Sequence, residues 1–538
     1  MPNSDNFALV PRPPGAVEEA RPGAKRILSG MVEEALELAQ KKPVSPVLQK
    51  FRIGDYEWCE PDYRQILAWA KALDLSPAEV ICRLRCEEQD ILWVLEWEMD
   101  FSKSQFMDGK LCVLTWDFDL LPLEEFVWED GLAITHLLFF GNPKNPPELR
   151  LCLPSLTHLG CRGLGLTELD LSRVPLLTAL ESSENFITEL DLTPVPLLTK
   201  LHCWENQLTT LDLSPVPLLT ELTCQSSELT TLDLSPVPHL AVLDCCMNPL
   251  TGLDLSPVPQ LTELACSSCE LAELDLSPVP LLRRLVFGGK QLTTLDLSPV
   301  PLLTELNCRS SHLTALDLSP VPHLTTLSCS DTPLTTLDLS PVPLLKSLAC
   351  KGSQLTTLNL SPVPLLKVLD SYDNPFAELD LTSVPLLTYL ACKRSQLTTL
   401  NLSHVPLLTA LLCYSNPLTG LDLSPVPQLT ELDCSSCELA ELDLSPVPLL
   451  KVLTCKRNLL TTLDLSPVPL LTGLYVFGNG LTQLDLSAVP LLGALHCENN
   501  PIELLDVRHL DKLDLHYSPR FTSLLQRPDQ HFVGHLAK

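Results

Sequence analysis

A period of 21 residues governs most of this chain. From Leu208 the sequence reads LTTLDLSPVPLLTELTCQSSE, ending at Glu228, and the pattern returns at Leu229, Leu250, Leu271 and onward to Leu481. Counted from Leu166, sixteen units follow without insertion or deletion and end at Pro501. Degenerate copies flank them: LLFFGN at 137–142 and LPSLTHLGC at 153–161 upstream, IELLDV at 502–507 downstream. Equal units imply coils of equal circumference, which a stacked ladder requires. A chain of 538 residues is also too long for one ordinary core, and an elongated array resolves that.

The columns of the repeat give its cross-section. In the unit from Leu303 the apolar positions are Leu303, Leu306, Cys308, Leu313, Leu316, Leu318 and Val321, with Leu324 as the next copy of Leu303. So few inward side chains cannot offset the ordering of a whole coil at about 1–2 kcal/mol per residue. Stability therefore comes from stacking, and both ends need caps. Alternation over Glu305-Leu306-Asn307-Cys308-Arg309 turns 306 and 308 inward and 305, 307 and 309 outward on one sheet face. The other half of each unit holds Pro in one column throughout, from Pro175 to Pro490. Pro lacks a ladder donor and fixes φ, so this return is expected to be extended and not helical.

The segment LTKLHCWENQLTTL at 198–211 fits the pattern LxxLxCxxNxLxxL and resembles the bacterial leucine-rich repeats. The full unit, with its second LxxLDL half, is similar to the subclass called IRREKO-type, over roughly residues 132–515. After LDL this chain carries SPVP where that family often has a second Asn turn. The resemblance implies a leucine-rich-repeat solenoid with a parallel β-sheet on one face and the Pro-bearing return on the other. With no helix on the back, little curvature is expected. At about 4.8 Å per coil the sixteen units span roughly 75 Å.

Thirteen of the 21 cysteines fall in one inward column: 161, 203, 224, 245, 266, 308, 329, 350, 392, 413, 434, 455 and 497. The same column holds Ser182, Phe287, Ser371 and Val476, and neither Phe nor Val can replace a metal ligand or a disulfide partner. A buried thiol ladder and a reducing, cytoplasmic compartment are expected. Two CxxC motifs, Cys266/Cys269 and Cys434/Cys437, lie eight coils apart, about 38 Å, and cannot share one metal. No structural metal or cofactor is expected. A second column is Asp in fourteen units, from Asp170, Asp191 and Asp212 onward, with Asn359 and Asn401 as exceptions. It can be read as a calcium ladder or as an Asx turn that Asn also serves; the missing glycine-rich nonapeptide favours the turn.

Information for recognition resides where neighbouring copies differ. One outward column reads Lys351, Tyr372, Lys393, Tyr414, Ser435, Lys456, Phe477, with Tyr389, Leu412 and Tyr475 beside it. Cationic and aromatic side chains alternating on a sheet face suit a protein partner, although such pairs also make a good exposed sheet. A smaller candidate is Lys200, His202 and Trp204. The net charge of −30 disfavours nucleic acid and anionic membrane, and no apolar run reaches transmembrane length.

Residues 1–26 read as a flexible lead-in without a Sec-type apolar core, although export by another route stays open. Residues 27–131 read as a small, mainly helical, Trp-rich domain that covers the first coil, and 516–538 as a C-terminal cap. Its helices are expected at Ile27–Lys41, after Pro61-Asp62, and from the capping box Ser76-Pro77-Ala78-Glu79 toward Ile91 and Val94. The chain has no P-loop, GxSxG, HExxH or dinucleotide fingerprint. A non-catalytic binding scaffold or inhibitor is the favoured function. The alternative is an effector or enzyme whose activity lies in the N-terminal domain, with the repeats selecting its target.

Overall fold

A strand in these coils needs only three residues, because one inward leucine between two outward neighbours fills the width of the sheet. In the computed structural model of the chain, strands such as Glu305–Asn307 and Val368–Asp370 have this form. The structure describes residues 50–53, 56–84, 87–88, 104–107, 110–123, 125–141, 143, 145–289, 291–510, 513 and 523–526. The chain divides into two units. The first holds the described residues as far as Ser182, with Leu190–Lys200 and Asp212–Leu218. The second holds Ser183–Glu189, Leu201–Leu211 and the described residues from Leu219 onward.

The first unit opens on a hairpin, β1 (Lys50–Ile53) antiparallel to β2 (Tyr56–Cys59). Helix α1 (Glu60–Leu73) follows, with Pro61 in its first turn, where a missing N–H costs nothing. Asp62, on its buried face, accepts from the Leu111 N–H at 3.0 Å, and burial raises its carboxyl to about 6. Helix α2 (Pro77–Arg83) starts with the expected capping box. Ser76 Oγ accepts from the Glu79 N–H, and the Glu79 carboxylate accepts from the Ser76 N–H. This helix stops at Arg83, whose guanidinium donates to the Leu120 carbonyl at 2.8 Å, and does not run on toward Ile91 and Val94. Those two residues, the lead-in 1–26 and the Ile27–Lys41 stretch lie outside the described residues.

Among the described residues of 27–131, expected to be mainly helical, strand accompanies helix. β3 (Glu87–Glu88) pairs with β4 (Gln105–Met107), and β4 runs antiparallel to β5 (Lys110–Asp117). The run KLCVLTWD has the apolar and aromatic content of a buried strand. β5 then pairs in parallel with β6 (His136–Phe140), followed by β7 (His158–Gly160) and β8 (Ala179–Glu181). A cluster of rings packs behind β5: Trp116 lies edge-on to Trp69 at 5.0 Å and to Phe126 at 4.9 Å, and Phe126 meets Phe139 of β6 at 5.2 Å. Trp69, Trp116 and Trp128 are thus core to the strand that extends the ladder at the first coil.

β9 (Lys200–His202) comes next in the chain. In the second unit, strands from β10 (Glu221–Thr223) to β23 (Ala494–His496) recur every 21 residues, each parallel to the next and in register. The inward leucines Leu306, Leu327, Leu348 and Leu369 are at most 1% exposed. The cysteine column is buried as its Phe and Val members require, with burial pushing Cys329, Cys392 and Cys455 up to about 12. Leu316, read as inward, is only half-buried.

The return is not helical, and it is not one extended run. Two tight turns follow one another: the Val321 N–H reaches the Leu318 carbonyl at 3.1 Å, and the Leu324 N–H reaches the Val321 carbonyl at 3.2 Å. Pro322 sits second in the latter turn, where its fixed φ is favourable. A fixed φ near −65° suits a turn as well as an extended chain, so the proline column alone could not separate them. The aspartate column serves these turns. Asp317 Oδ1 accepts from the Ser319 N–H at 2.9 Å, and Asn359 and Asn401 accept from Ser361 and Ser403 at 3.1 and 3.0 Å. Beyond the repeat, β24 (Leu504–Asp506) pairs in parallel with β25 (Ser523–Leu525); most of the expected cap at 516–538 lies outside the described residues.

Candidate functional site

The outward side chains that differ between coils stand on a turn built with unusual uniformity. The residue after the varied column has a positive φ in every coil from Gly163 to Asn499. Glycine takes this position at Gly163, Gly289, Gly352 and Gly478. Elsewhere it is filled by residues such as Glu205 (φ 51°), Met247 (53°), Asp331 (57°), Arg394 (54°) and Arg457 (52°). A non-glycine residue there costs on the order of 1 kcal/mol. The next residue secures the turn. Asn416 Oδ1 accepts from Ser395 and Leu397 N–H at 2.9 and 3.1 Å, while its Nδ2 donates to the Cys392 and Cys413 carbonyls, both at 2.8 Å. Asn374 does the same work, donating to Cys350 and Ser371 at 2.8 and 2.9 Å. The main chain of the varied column is held too: Gly352 and Arg394 N–H groups bond Tyr372 and Tyr414 carbonyls at 2.9 and 3.0 Å.

On this frame Lys351, Tyr372, Lys393 and Tyr414 form a continuous stack. Lys393 Nζ lies 4.0 Å from the Tyr372 ring centre and 5.1 Å from that of Tyr414, and Lys351 Nζ lies 5.1 Å from Tyr372. All four are half-buried by this mutual packing, not fully exposed as outward residues of a bare sheet would be. Tyr389 and Leu412, at the edges of β18 (Tyr389–Ala391) and β19 (Ala410–Leu412), are half-buried beside the stack. Burial raises the Tyr389 phenol, with further repulsion from Asp370 and Glu431.

Two participants were not read from the sequence. Arg394, at the positive-φ position, places its guanidinium 5.9 Å from the Tyr414 ring centre. Asp370 ends β17 (Val368–Asp370), and its Oδ1 is shielded from solvent without a hydrogen-bond donor. Burial raises its carboxyl, while Lys351, Lys393 and Arg309 pull the other way. An Asp in an outward strand column carries no sequence signal of its own; its meaning comes from the lysines one coil to either side.

The candidate residues do not form one patch. The coil carrying Glu431, Asp433 and Ser435 interrupts the ladder, and Ser435 is buried, its Oγ accepting from the Lys456 N–H. Beyond it Lys456 stacks on Tyr475 at 4.9 Å and Phe477 at 5.4 Å, Arg457 meets Phe477 at 5.5 Å, and Tyr475 stacks on His496 at 4.9 Å. His202 and Trp204 lie seven repeats before Lys351, and His202 faces Glu221 at 3.2 Å. Among the described residues no group of three or more His, Cys, Asp or Glu is arranged to hold a metal ion, and no helix is long and apolar enough to cross a membrane.

No family model and no curated protein matches the chain. Solved structures do. YopM from Yersinia enterocolitica is 22% identical over 93% of this chain and 100% of its own, with a TM-score of 0.50. The functional domain of InlJ from Listeria monocytogenes, described as including a cysteine ladder, is 31% identical over 68% of this chain and 74% of its own, with a TM-score of 0.44. A leucine-rich-repeat protein of Leptospira interrogans is 20% identical over 56% of this chain and 90% of its own, with a TM-score of 0.47. With its 21-residue coils, its in-register parallel strands and this overlap, the chain belongs to the leucine-rich-repeat solenoid proteins.

Proposed function

We propose that the protein is a non-catalytic scaffold or inhibitor that binds a protein partner on the strand-lined face, centred on Lys351, Tyr372, Lys393 and Tyr414. The repeat subclass is taken to be the bacterial IRREKO type and the compartment a reducing cytoplasm, as the thiol ladder suggests. The observation that carries the reading is the cation–aromatic stack in a chain of net charge −30 with 5% aromatic residues. Pre-stacked tyrosines lose little side-chain freedom on binding, and the adjoining lysines and Arg394 favour a partner with acidic groups around an apolar centre. The positive-φ column supports the same reading. Glycine would relieve its strain, yet charged residues such as Asp373 and Arg394 are held there beside the stack. To test this, the partner is captured with the full chain and the complex mapped by hydrogen exchange. Protection is expected over residues 351–414 on the strand side. Protection confined to the proline-bearing return would exclude this face.

A further inference from the structure

Cys269 and Cys437 occupy the turn column that holds Asn248, Asn374, Asn416, Asn458, Asn479 and Asn500 elsewhere. An asparagine there bridges two coils: Asn248 Nδ2 donates to the Cys245 carbonyl in its own coil at 3.0 Å and to the Cys224 carbonyl of the preceding coil at 2.9 Å. A thiol has a single proton, and its shorter contact is the one to the preceding coil; Cys437 Sγ also lies 3.5 Å from the Ser435 carbonyl of its own coil. Cys269 Sγ donates to the Cys245 carbonyl at 3.3 Å, and Cys437 Sγ donates to the Cys413 carbonyl at 3.2 Å. The residue reached is itself a ladder cysteine in both cases, so each turn sulfur lies against its ladder partner. The two arrangements are copies of one another, eight coils apart. Consecutive ladder cysteines differ from them. They project in parallel from strands about 4.8 Å apart, a separation that disfavours the disulfide bond.

We propose that Cys245/Cys269 and Cys413/Cys437 are two dithiol modification sites that a peroxide oxidises to inter-coil disulfides. The thiolate of Cys269 attacks hydrogen peroxide, the O–O bond breaks, and sulfenic acid and hydroxide form. The Cys245 sulfur then displaces hydroxide from that sulfenic sulfur, closing the S–S bond. Overall two thiols lose two protons and two electrons, and one peroxide becomes two waters. The roles follow from the surroundings. The neighbouring ladder thiol, with main-chain N–H groups, holds Cys269 and Cys437 below the ordinary thiol range against their own burial; the same thiol contact and then burial push Cys245 and Cys413 well above it. Cys269 is 6% exposed, whereas Cys437 and both ladder partners are at 0%, so the first site reacts before the second. The second site lies directly under the docking face, since Cys413 stands between Leu412 and Tyr414.

The reduced full-length protein is treated with hydrogen peroxide at increasing dose, alkylated and mapped without reduction. A Cys245–Cys269 link is expected first and a Cys413–Cys437 link at higher dose, each at least about tenfold above any link between ladder neighbours such as Cys245–Cys266. Cys269→Asn installs the residue this column ordinarily carries, so the fold is retained while the first link alone disappears. Links among ladder neighbours at equal yield would overturn the proposal. So would oxidation of Cys246 and Cys82 with neither inter-coil pair linked.

Discussion

The two halves of a coil are built under different rules. In the return, the same turns repeat almost unchanged: the Val N–H to Leu carbonyl bond stays within 3.0–3.2 Å from Val174 to Val489. The aspartate or asparagine before it always spends an oxygen on the residue two places on. In the strand and turn half the backbone is just as regular, but the side chains are not, and several are ones stability alone would not select. Arg394 and Asp331 adopt left-handed φ where glycine would be relaxed, and Asp370 is shielded without a donor for one oxygen. One half specifies the coil, and the other uses the coil as a mount.

The comparison breaks most visibly if inward and outward residues of one strand respond alike. Leu369→Ala should destabilise the protein by about 3 kcal/mol in denaturant unfolding, because Leu369 is fully buried and its site cannot collapse freely. Tyr372→Ala, three residues on, should cost less than about 1 kcal/mol, since its packing is lateral stacking on lysines. Asn416→Ala should come next, at about 2 kcal/mol, because it strands two N–H groups and two carbonyls at once. The return should be far more forgiving. Asp338→Asn should change stability by less than about 0.5 kcal/mol, since Asn359 and Asn401 already fill the role. Thermal unfolding with and without a calcium chelator should superimpose; a calcium-dependent rise would assign the column to metal binding.

The period, the inward columns and the Asx role of the aspartates were legible because each is a constraint repeated sixteen times. The exceptions share a cause. KLCVLTWD, at 110–117, occurs once, so nothing in its neighbours marked it as a strand. Nothing local signalled that the Ser76 helix would end at Arg83. The columns showed that Lys351, Tyr372, Lys393 and Tyr414 share a face. They did not show that the lysines lie over the rings, because stacking depends on rotamers and not on spacing. Arg394 was passed over because a long cation at a left-handed turn position runs against local preference, which is also why it is informative.

A smaller effect sharpens the contrast within a single coil. Asp370, in the strand half, has its carboxyl raised by burial, whereas Asp380, in the return, is lowered by the Thr382 N–H. The raised group contributes stability that is complete below its unfolded value and is lost as pH rises through its folded one. The lowered group contributes stability present above its unfolded value and lost as pH falls through its folded one. Between pH 3 and 7, Asp370→Asn should therefore gain melting temperature relative to the parent as pH rises, and Asp380→Asn should lose it. Parallel trends in the two variants would mean that the halves do not differ in this respect.

The decisive comparison sets the strand face against an apolar ridge on the return, where Leu365 is 36% and Leu407 46% exposed. With the captured partner, affinity is measured for Tyr372→Ala/Tyr414→Ala and for Leu365→Ala/Leu407→Ala, both confirmed folded. The tyrosine pair should weaken binding by at least about 30-fold, the effect of one hot spot of about 2 kcal/mol, and the leucine pair by less than about threefold. Loss of binding in the leucine pair, with the tyrosine pair unchanged, would show that the partner reads the return and that the varied face is not the docking site.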